Sequence, residues 1–532
     1  MMRLSDGIDR RDWLLSACVL LATLVGVFET NRRLLALRLN EARYTGGTPL
    51  ADILGETSAR RWAVYGVLLA LIGGLEWAHR RSGRARGPGG IGRWVFTAAL
   101  LVQTYSVAAM DYNHFYDSWF ATERIALVIT SALCWWRPLF LPGYLLQLIV
   151  LTGQLKYPAL IGYDHVHKFI AVPILLAYWV QTVLGCFVRV RRAGELYALF
   201  VMALLSLWYI NAGIGKLEIG WERQNSLYNL FAAATDAGWL EDWSRTTKLY
   251  LAEFLTGLRA PLLYGTIVLE IALPLLLFTT RRLAIVTAVS LMAFHLFVYL
   301  FSGILFWQWS VLELTFLGYL FLRPDGAREL FGWRNRLAYL GLLVTIPFFF
   351  HIGKLSWFDC GYVNLYTFYL LDEAGEAHEL NATYFSPYDT GFAKNRFYFT
   401  TPYRTISNTY GQCNDGRLLE IVEGWARTGD TTGVRAVEAY RSTYGQARYD
   451  TLRAGAFYHF LTEFVSSKNA YDPQLVSHLS PPPHMQQGGD QGNFRVPALR
   501  ALRIVYEEKV ILPGLEFFPV RQDTVTLPLP SS

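Results

Sequence analysis

The residues best placed to do chemistry form one polar segment at the end of an apolar helix. The segment 208–228 reads WYINAGIGKLEIGWERQNSLY. Gly213 and Gly215 allow close approach of backbone or ligand. Lys216 follows them at the predicted membrane boundary, and Trp221 lies five residues after the lysine. A lysine in a partly apolar pocket can be neutral near physiological pH and can then accept a proton. Lys216 is therefore a candidate base; the alternative is a lysine that marks a helix end and snorkels.

Other ionisable residues lie within or beside apolar stretches, where a charge is costly to bury. Glu270, in VLEIALPLLL, needs a partner, and we expect a Lys, Arg or His of another helix. His295 is a candidate for the same pocket, and a hydrogen bond to a neighbouring helix is equally open. His165 and His167, in YDHVHKF, precede an apolar run; at i, i+2 they do not share a helix face, so they predict no paired metal site. His114, in DYNHFYDSW, is predicted to be a surface or boundary residue.

Several classes of function lack their sequence signals. No CxxC or His–Cys spacing indicates a metal, so no metal is predicted, and neither a GxGxxG nor a GxxxxGK[ST] phosphate loop is present. The net charge of +6 is too modest to indicate nucleic-acid binding. Cys360 and Cys413 either form a disulfide in an oxidising compartment or remain two unpaired thiols.

The elements that must position these residues are apolar helices. The 532 residues are 53% hydrophobic and 17% charged, whereas a soluble chain is about 25% charged. A helix needs about 17–25 apolar residues to cross the hydrocarbon layer. Suitable runs lie near 12–29, 62–78, 93–110, 123–136, 138–154, 168–188, 196–214, 260–280, 283–301, 303–322 and 336–354. They predict a mainly α, polytopic transmembrane domain of about 9–11 spans over residues 1–355.

The distribution of arginine predicts the orientation of these spans. Basic loops at 79–93, 189–192, 281–282 and 323–336 fall on one side, which is then cytoplasmic. The loop 30–61 on the other side is an exception with six arginines. We therefore expect a multi-pass protein, in the inner membrane if it is bacterial, with a cytoplasmic N-terminus and an extracytoplasmic C-terminal domain.

Beyond about residue 355 the pattern changes to that of a small extramembrane α+β domain, 356–532. VNLYTFYLL and HELNATYF alternate as two strands around the turn DEAGEA, which predicts a β-hairpin. Residues 416–467 have helical spacing. A loop rich in Pro, Gly and Gln follows, and ALRIVYEEKVILPGLEFFPV then predicts strand or extended structure.

Three segments resemble the vitamin K-dependent γ-carboxylase-like family, also called the HTTM domain. AGIGKLEIGW is similar to the family's signature, in which a tryptophan lies five residues after the lysine; here these are Lys216 and Trp221. The stretch 269–309, with "FH" at His295, is similar to a later pair of spans, and HVHKFIAVPILL to a helix start that carries a histidine. The resemblance covers about 160–320, roughly a third of the chain.

The family's characterised enzyme, a lyase, uses reduced vitamin K, dioxygen and carbon dioxide to carboxylate glutamate side chains on the non-cytoplasmic side. The resemblance implies that Lys216 is the base that deprotonates the quinol and that His165 or His167 helps to position or stabilise the oxyanion. It also implies a quinone pocket, to which we assign Trp221 and, from their depth, Glu270 and His295. This chain has Gly215 where the carboxylase has a second lysine, and no clear counterpart of the portion that binds the substrate propeptide.

Two classes of function follow. The first is a quinol-linked, oxygen-dependent enzyme, carboxylase-like or related, whose cofactor is reduced vitamin K or a similar quinol. The second is a non-catalytic membrane protein that holds a lipid or quinone, or anchors an assembly on the outer face. The expected partners are membrane lipid, a quinone and a protein or peptide substrate on the outer face, with no nucleic acid.

Overall fold

The computed structural model describes residues 10–36, 41–55, 88–156, 171–188, 190, 192–406, 411–428, 432–471, 479–488 and 494–529, with a few single positions between 58 and 77. Before the sheet the chain is mainly helical. The helices there are Arg10–Ala36, Ala42–Thr45, Pro49–Gly55, Ile91–Ala108, Ala121–Trp136, Leu141–Gly153, Ala171–Phe187, Ala193–Ile219, Trp221–Gln224, Leu227–Asp236, Arg245–Gly257, Arg259–Ile267, Leu273–Leu276, Arg281–Ser302, Trp307–Leu322, Pro324–Arg328 and Trp333–Thr345.

Within the described residues, five helices are long and apolar enough to cross a membrane. They are Leu14–Arg33, Pro138–Lys156, Ala193–Ile219, Arg259–Leu276 and Arg281–Ser302. Ala171–Phe187 is a shorter apolar helix. This finding supports a helical membrane region but not the predicted count of spans.

The remaining predicted spans have different outcomes. The runs near 93–110, 123–136 and 303–322 are helical, but these helices are shorter or less apolar than the five. The run at 62–78 lies mostly outside the described residues. The run predicted at 336–354 forms a shorter helix than expected, Trp333–Thr345, which is followed by a single 3₁₀ turn, Ile346–Phe348, and it is not among these five. Pro347 lies in that turn, where it lacks the N–H that a continuing α-helix requires.

The candidate base lies on the helix Ala193–Ile219, here called the lysine helix. Seventeen of its 27 residues are buried, which is typical of a helix surrounded by other helices. It ends at Gly220, whose φ of +71° is a left-handed conformation that glycine adopts without strain. The chain reverses there, so Trp221 begins a new short helix beside the end of the old one.

The glutamate helix, Arg259–Leu276, contains a wide π-helical turn at Val268–Ala272. The N–H of Leu273 donates to the carbonyl of Val268, five residues earlier. Pro274 explains the irregularity, because it cannot donate to the carbonyl of Glu270, four residues before it. The wide turn therefore places Glu270 where the helix departs from regular geometry, a location that is frequent at functional sites.

The C-terminal region is an antiparallel sheet with helices, as predicted. The strands are β1 Phe358–Asp359, β2 Tyr362–Asp372, β3 Ala377–Leu380, β4 Gln412–Cys413, β5 Leu499–Leu512 and β6 Glu516–Pro528. The larger sheet has the order β3-β2-β5-β6, and β1 pairs with β4. The helices here are Asp389–Lys394, Gly416–Thr428, Thr432–Tyr444 and Thr451–Ala470.

Most of the strand predictions are confirmed. The predicted hairpin is β2–β3, although β3 is shorter than expected because a 3₁₀ turn at Ala382–Phe385 follows it. The last predicted extended segment is a second hairpin, β5–β6, which turns at Gly514 with a φ of +81°.

Two helices between the lysine helix and the glutamate helix tie the apolar helices to the sheet. In Leu227–Asp236, the hydroxyl of Tyr228 donates to the carbonyl of Leu512 at 2.8 Å. Asp236 lies 3.3 Å from the amine of Lys509. Helix Arg245–Gly257 packs beside Leu227–Asp236. The sheet is thereby held next to the end of the lysine helix that carries Lys216.

A second contact between the two parts of the chain corrects the prediction for His114. Its side chain is 3% exposed, not at the surface. It packs edge-on against Phe464 and Tyr471 of the C-terminal region. Burial lowers the pKa of His114 to about 3, so the ring is neutral.

Candidate functional site

Lys216 and Glu270 form an ion pair between the lysine helix and the glutamate helix. The lysine amine donates to Oε1 of the carboxylate. The Lys216 side chain is 14% exposed and that of Glu270 is 5% exposed. The expectation that Glu270 has a cationic partner on another helix is therefore confirmed, and the partner is the candidate base.

Gly213 makes this pairing sterically possible. A Cβ atom at that position would lie 2.6 Å from Cγ1 of Ile271 and 3.2 Å from Cβ of Glu270. Tyr209, Gly213 and Lys216 have the spacing i, i+4, i+7, so they lie on one face of the lysine helix. That face is in direct contact with the wide turn of the glutamate helix.

Trp221 also contacts the lysine amine. Its ring centroid is 5.3 Å from Nζ of Lys216, within the range of a cation–π contact. The ring is 5% exposed. A carboxylate and an aromatic face thus both contact one amine.

The C-terminal region places a second carboxylate, Asp359, near the pair. Asn225 Nδ2 donates to Oδ2 of Asp359 at 2.7 Å, and the backbone N–H of Asp359 donates to Asn225 Oδ1 at 2.6 Å. Burial raises the pKa of Asp359 to about 6, although the bond from Asn225 and the charge of Lys216 both oppose this rise. Asp359 therefore titrates near neutrality beside the candidate base.

A second polar group, here called the tyrosine cluster, comprises Tyr209, His295 and Glu313. The Tyr209 hydroxyl donates to Oε1 of Glu313 and lies 3.0 Å from Nε2 of His295. Nδ1 of His295 lies 3.6 Å from Oε2 of Glu313. Phe306 stacks on the histidine ring, with centroids 5.0 Å apart.

The structure therefore divides the predicted site residues. Lys216, Glu270 and Trp221 come together, whereas His295 belongs to the tyrosine cluster. Tyr209 lies seven residues before Lys216, about 10 Å away along the helix axis. His165 and His167 lie outside the described residues.

Sequence reasoning did not select Tyr209, Glu313 or Asp359. Glu313 had a usable signal, because it is an acidic residue within the apolar run WQWSVLELTFLGYLFL. Tyr209 had none, since tyrosine is common at the ends of membrane spans. Asp359 had none either, because its role depends on contact with Asn225, 134 residues earlier.

Three polar atoms of these groups lack a hydrogen-bond partner among the described residues. Glu270 Oε2, His295 Nδ1 and Glu313 Oε2 are buried and form no hydrogen bond within the described part of the chain. Buried polar atoms normally have partners, so these positions could receive hydroxyl or N–H donors from a small molecule. Among the described residues, no group of three or more His, Cys, Asp or Glu side chains is arranged to hold a metal ion.

Comparison with known proteins yields no relative: no family model, curated protein or solved structure matches this chain.

Proposed function

We propose that this chain is a multi-pass membrane enzyme in which Lys216 acts as a general base on a lipid-soluble quinol. The observation that carries the proposal is the buried contact of the Lys216 amine with Glu270 and Trp221. The resemblance of AGIGKLEIGW to the γ-carboxylase-like family motivates the choice of quinol. The reaction class is an oxygen-dependent carboxylation or a related modification.

The step assigned to Lys216 is the transfer of a single proton. Lys216 first releases the proton that it carries in the ion pair with Glu270. The resulting neutral amine takes a proton from a hydroxyl of the quinol, so one O–H bond breaks, one N–H bond forms, and the electron pair stays on oxygen. The Glu270 carboxylate stabilises the resulting ammonium, because an ammonium in an apolar site requires a counter-ion. The reduced quinol, once deprotonated, supplies the electrons for reaction with dioxygen.

The polar atoms of the site suit a quinol. Its two hydroxyls are donors at opposite ends of a flat apolar ring. Glu270 Oε2 is an acceptor without a hydrogen bond in the described chain, and so is Glu313 Oε2. Trp221 offers an aromatic face to the ring. Exclusion of water by such a pocket would protect a reactive base from being quenched.

The proposed location and partners follow from the position of Lys216. It lies at the end of the lysine helix that faces the C-terminal region, since Gly215 packs against Lys354 and Ser356. With the C-terminal domain extracytoplasmic, the site opens to the outer face. A protein or peptide substrate would approach there, while the quinol enters from the lipid.

The alternative function is non-catalytic. It is favoured by the ion pair itself, because Glu270 neutralises the charge of Lys216, and such a pair can join two helices without taking part in any reaction. In that case the protein holds a quinone or lipid, or anchors an assembly on the outer face, without turnover.

The test is consumption of a reduced naphthoquinone in air by the purified protein and by Lys216→Arg. An arginine keeps the positive charge and can pair with Glu270, but it does not release its proton and so cannot act as a base. We expect folded Lys216→Arg protein without quinol oxidation. Lys354→Arg is the matched control, because Lys354 also pairs with a glutamate, Glu218, yet is 50% exposed.

Activity retained in Lys216→Arg would refute the assignment of the base. Absence of activity in every form, with saturable naphthoquinone binding, would favour the non-catalytic alternative.

A further inference from the structure

An apolar groove of about 530 Å³ lies far from the lysine pair, between the first helix and Trp333–Thr345. Its walls are mainly aliphatic, and they include Leu20, Leu24 and Leu342. Leu21 and Leu337 line the same groove and are 53% and 54% exposed, so the groove opens sideways. Because both flanking elements are membrane-facing in the proposed topology, this opening faces lipid.

One end of the groove is basic. Arg334, Arg192 and Asn335 lie there. Arg192 is bound to Glu195, and Nδ2 of Asn335 donates to Glu195 at 3.2 Å. Nη1 of Arg334 is buried and makes no hydrogen bond to any described residue. Arg334 thus lines the groove and, within the described chain, has a buried N–H that lacks the acceptor such groups normally have.

The basic end lies at the bilayer face opposite the lysine pair. Arg192 precedes the lysine helix and Lys216 lies in its last turn. Lys216 lies 24 positions after Arg192, which corresponds to about 36 Å of helix, comparable to the thickness of the hydrocarbon layer. The groove is thus on the side where the arginine-rich loops lie, predicted to be cytoplasmic.

We propose that this groove binds one phospholipid with an anionic headgroup, independently of the function at Lys216. An acyl chain lies along the aliphatic walls, and the phosphate accepts hydrogen bonds from Arg334. Charge complementarity selects this occupant: a neutral lipid or quinone satisfies the walls but not the guanidinium. Basic sites between helices at the cytoplasmic face recognise anionic headgroups in this way.

Two variants test the two halves of the groove separately. Arg334→Gln removes the charge. Gly341→Phe fills the apolar part, because Gly341 lines the groove and a Cβ atom there meets nothing within 4 Å. The control is Arg328→Gln, since the Arg328 side chain is 81% exposed and lies outside the groove lining.

The full-length protein in detergent is titrated with phosphatidylglycerol, phosphatidylcholine and inorganic phosphate, and bound lipid is counted by native mass spectrometry. We expect one tightly bound phosphatidylglycerol, with about tenfold weaker binding in Arg334→Gln. Gly341→Phe should bind none of it at the same concentrations, and Arg328→Gln should match the wild type.

Equal binding of phosphatidylglycerol and phosphatidylcholine, or unchanged binding in Arg334→Gln, would overturn the proposal. Competition by inorganic phosphate at the affinity of the lipid would also overturn it, because the site would then recognise a free anion. Circular dichroism of each variant separates lost binding from lost folding.

Discussion

Lys216 and Glu270 meet across two helices at a point where the glutamate helix is widened by a π-helical turn and the lysine helix carries a glycine. Pro274 disrupts the regular hydrogen bonding of one helix, and the missing side chain of Gly213 allows the other to approach. The structural role of this contact and its chemical role can therefore be tested separately.

Removal of the glutamate charge should destabilise the protein whether or not it is an enzyme. Glu270→Gln leaves the Lys216 amine buried without its counter-ion, which costs about 3 kcal/mol. Thermal unfolding in detergent should show this loss. Glu218→Gln breaks the exposed pair with Lys354 and should change stability by less than about 1 kcal/mol. A small effect of Glu270→Gln would mean that the lysine pair is solvated.

The close approach at Gly213 can be tested with a single methyl group. Gly213→Ala places a Cβ 2.6 Å from Ile271, so the glutamate helix must move. We expect a loss of about 1–3 kcal/mol, together with reduced quinol oxidation if Lys216 is the base. Gly265→Ala is the control on the glutamate helix, because a Cβ there meets nothing within 4 Å. Equal effects of the two substitutions would contradict the packing argument.

The Tyr209 hydroxyl holds the tyrosine cluster together. Tyr209→Phe removes the donor to Glu313 and the contact with His295, and leaves two buried polar groups unsatisfied. Each such group costs about 1–3 kcal/mol. Tyr105→Phe, on another helix and 43% exposed, should be within about 0.5 kcal/mol of the wild type. Both variants can be compared by their unfolding temperatures.

The stability of the protein should depend on pH through Asp359. Its pKa is raised by burial from 3.8 to about 6 in the folded chain. The folded protein therefore binds the proton of Asp359 more tightly than the unfolded chain does. The resulting contribution to the free energy of unfolding is complete below the unfolded-state pKa of 3.8 and is lost as the pH rises through about 6. The free energy of unfolding at neutral pH is therefore about 3 kcal/mol lower than it would be if the pKa were unchanged by folding.

Asp359→Asn should abolish this pH dependence, since an amide oxygen can accept the bond from Asn225 without carrying charge. We expect the variant to unfold at a higher temperature than wild type at pH 8. The difference should shrink towards pH 4. A constant difference across this range would show that Asp359 does not titrate there.

The side of the membrane on which the C-terminal region lies can be tested by cysteine labelling. A cysteine introduced at Thr443, which is exposed on helix Thr432–Tyr444, should react with a membrane-impermeant maleimide from the outside of intact cells. Labelling only after permeabilisation would place the C-terminal region in the cytoplasm.

Relations between nearby residues could be predicted from the sequence. The apolar runs predict helices because a helix surrounded by apolar groups must satisfy its own backbone. Gly220, between Lys216 and Trp221, indicates the helix end that turns the indole back towards the amine. The residues of ALRIVYEEKVILPGLEFFPV predict extended structure, and the structure shows that this segment folds back on itself as the β5–β6 hairpin. Each of these relations spans only a few residues, so local geometry decides it.

Which side chains meet across the fold was decided only by the tertiary structure. Glu270 required a cation, but periodicity could not select Lys216 over an arginine or histidine of another helix. The partner of His295 could not be predicted either, and the packing of the helices places this histidine beside Glu313. Asp359 reaches the site only because the C-terminal region rests on helix Leu227–Asp236. The pattern within a helix determines which face is buried, whereas the neighbour of that face depends on the simultaneous packing of all the helices, which no single segment encodes.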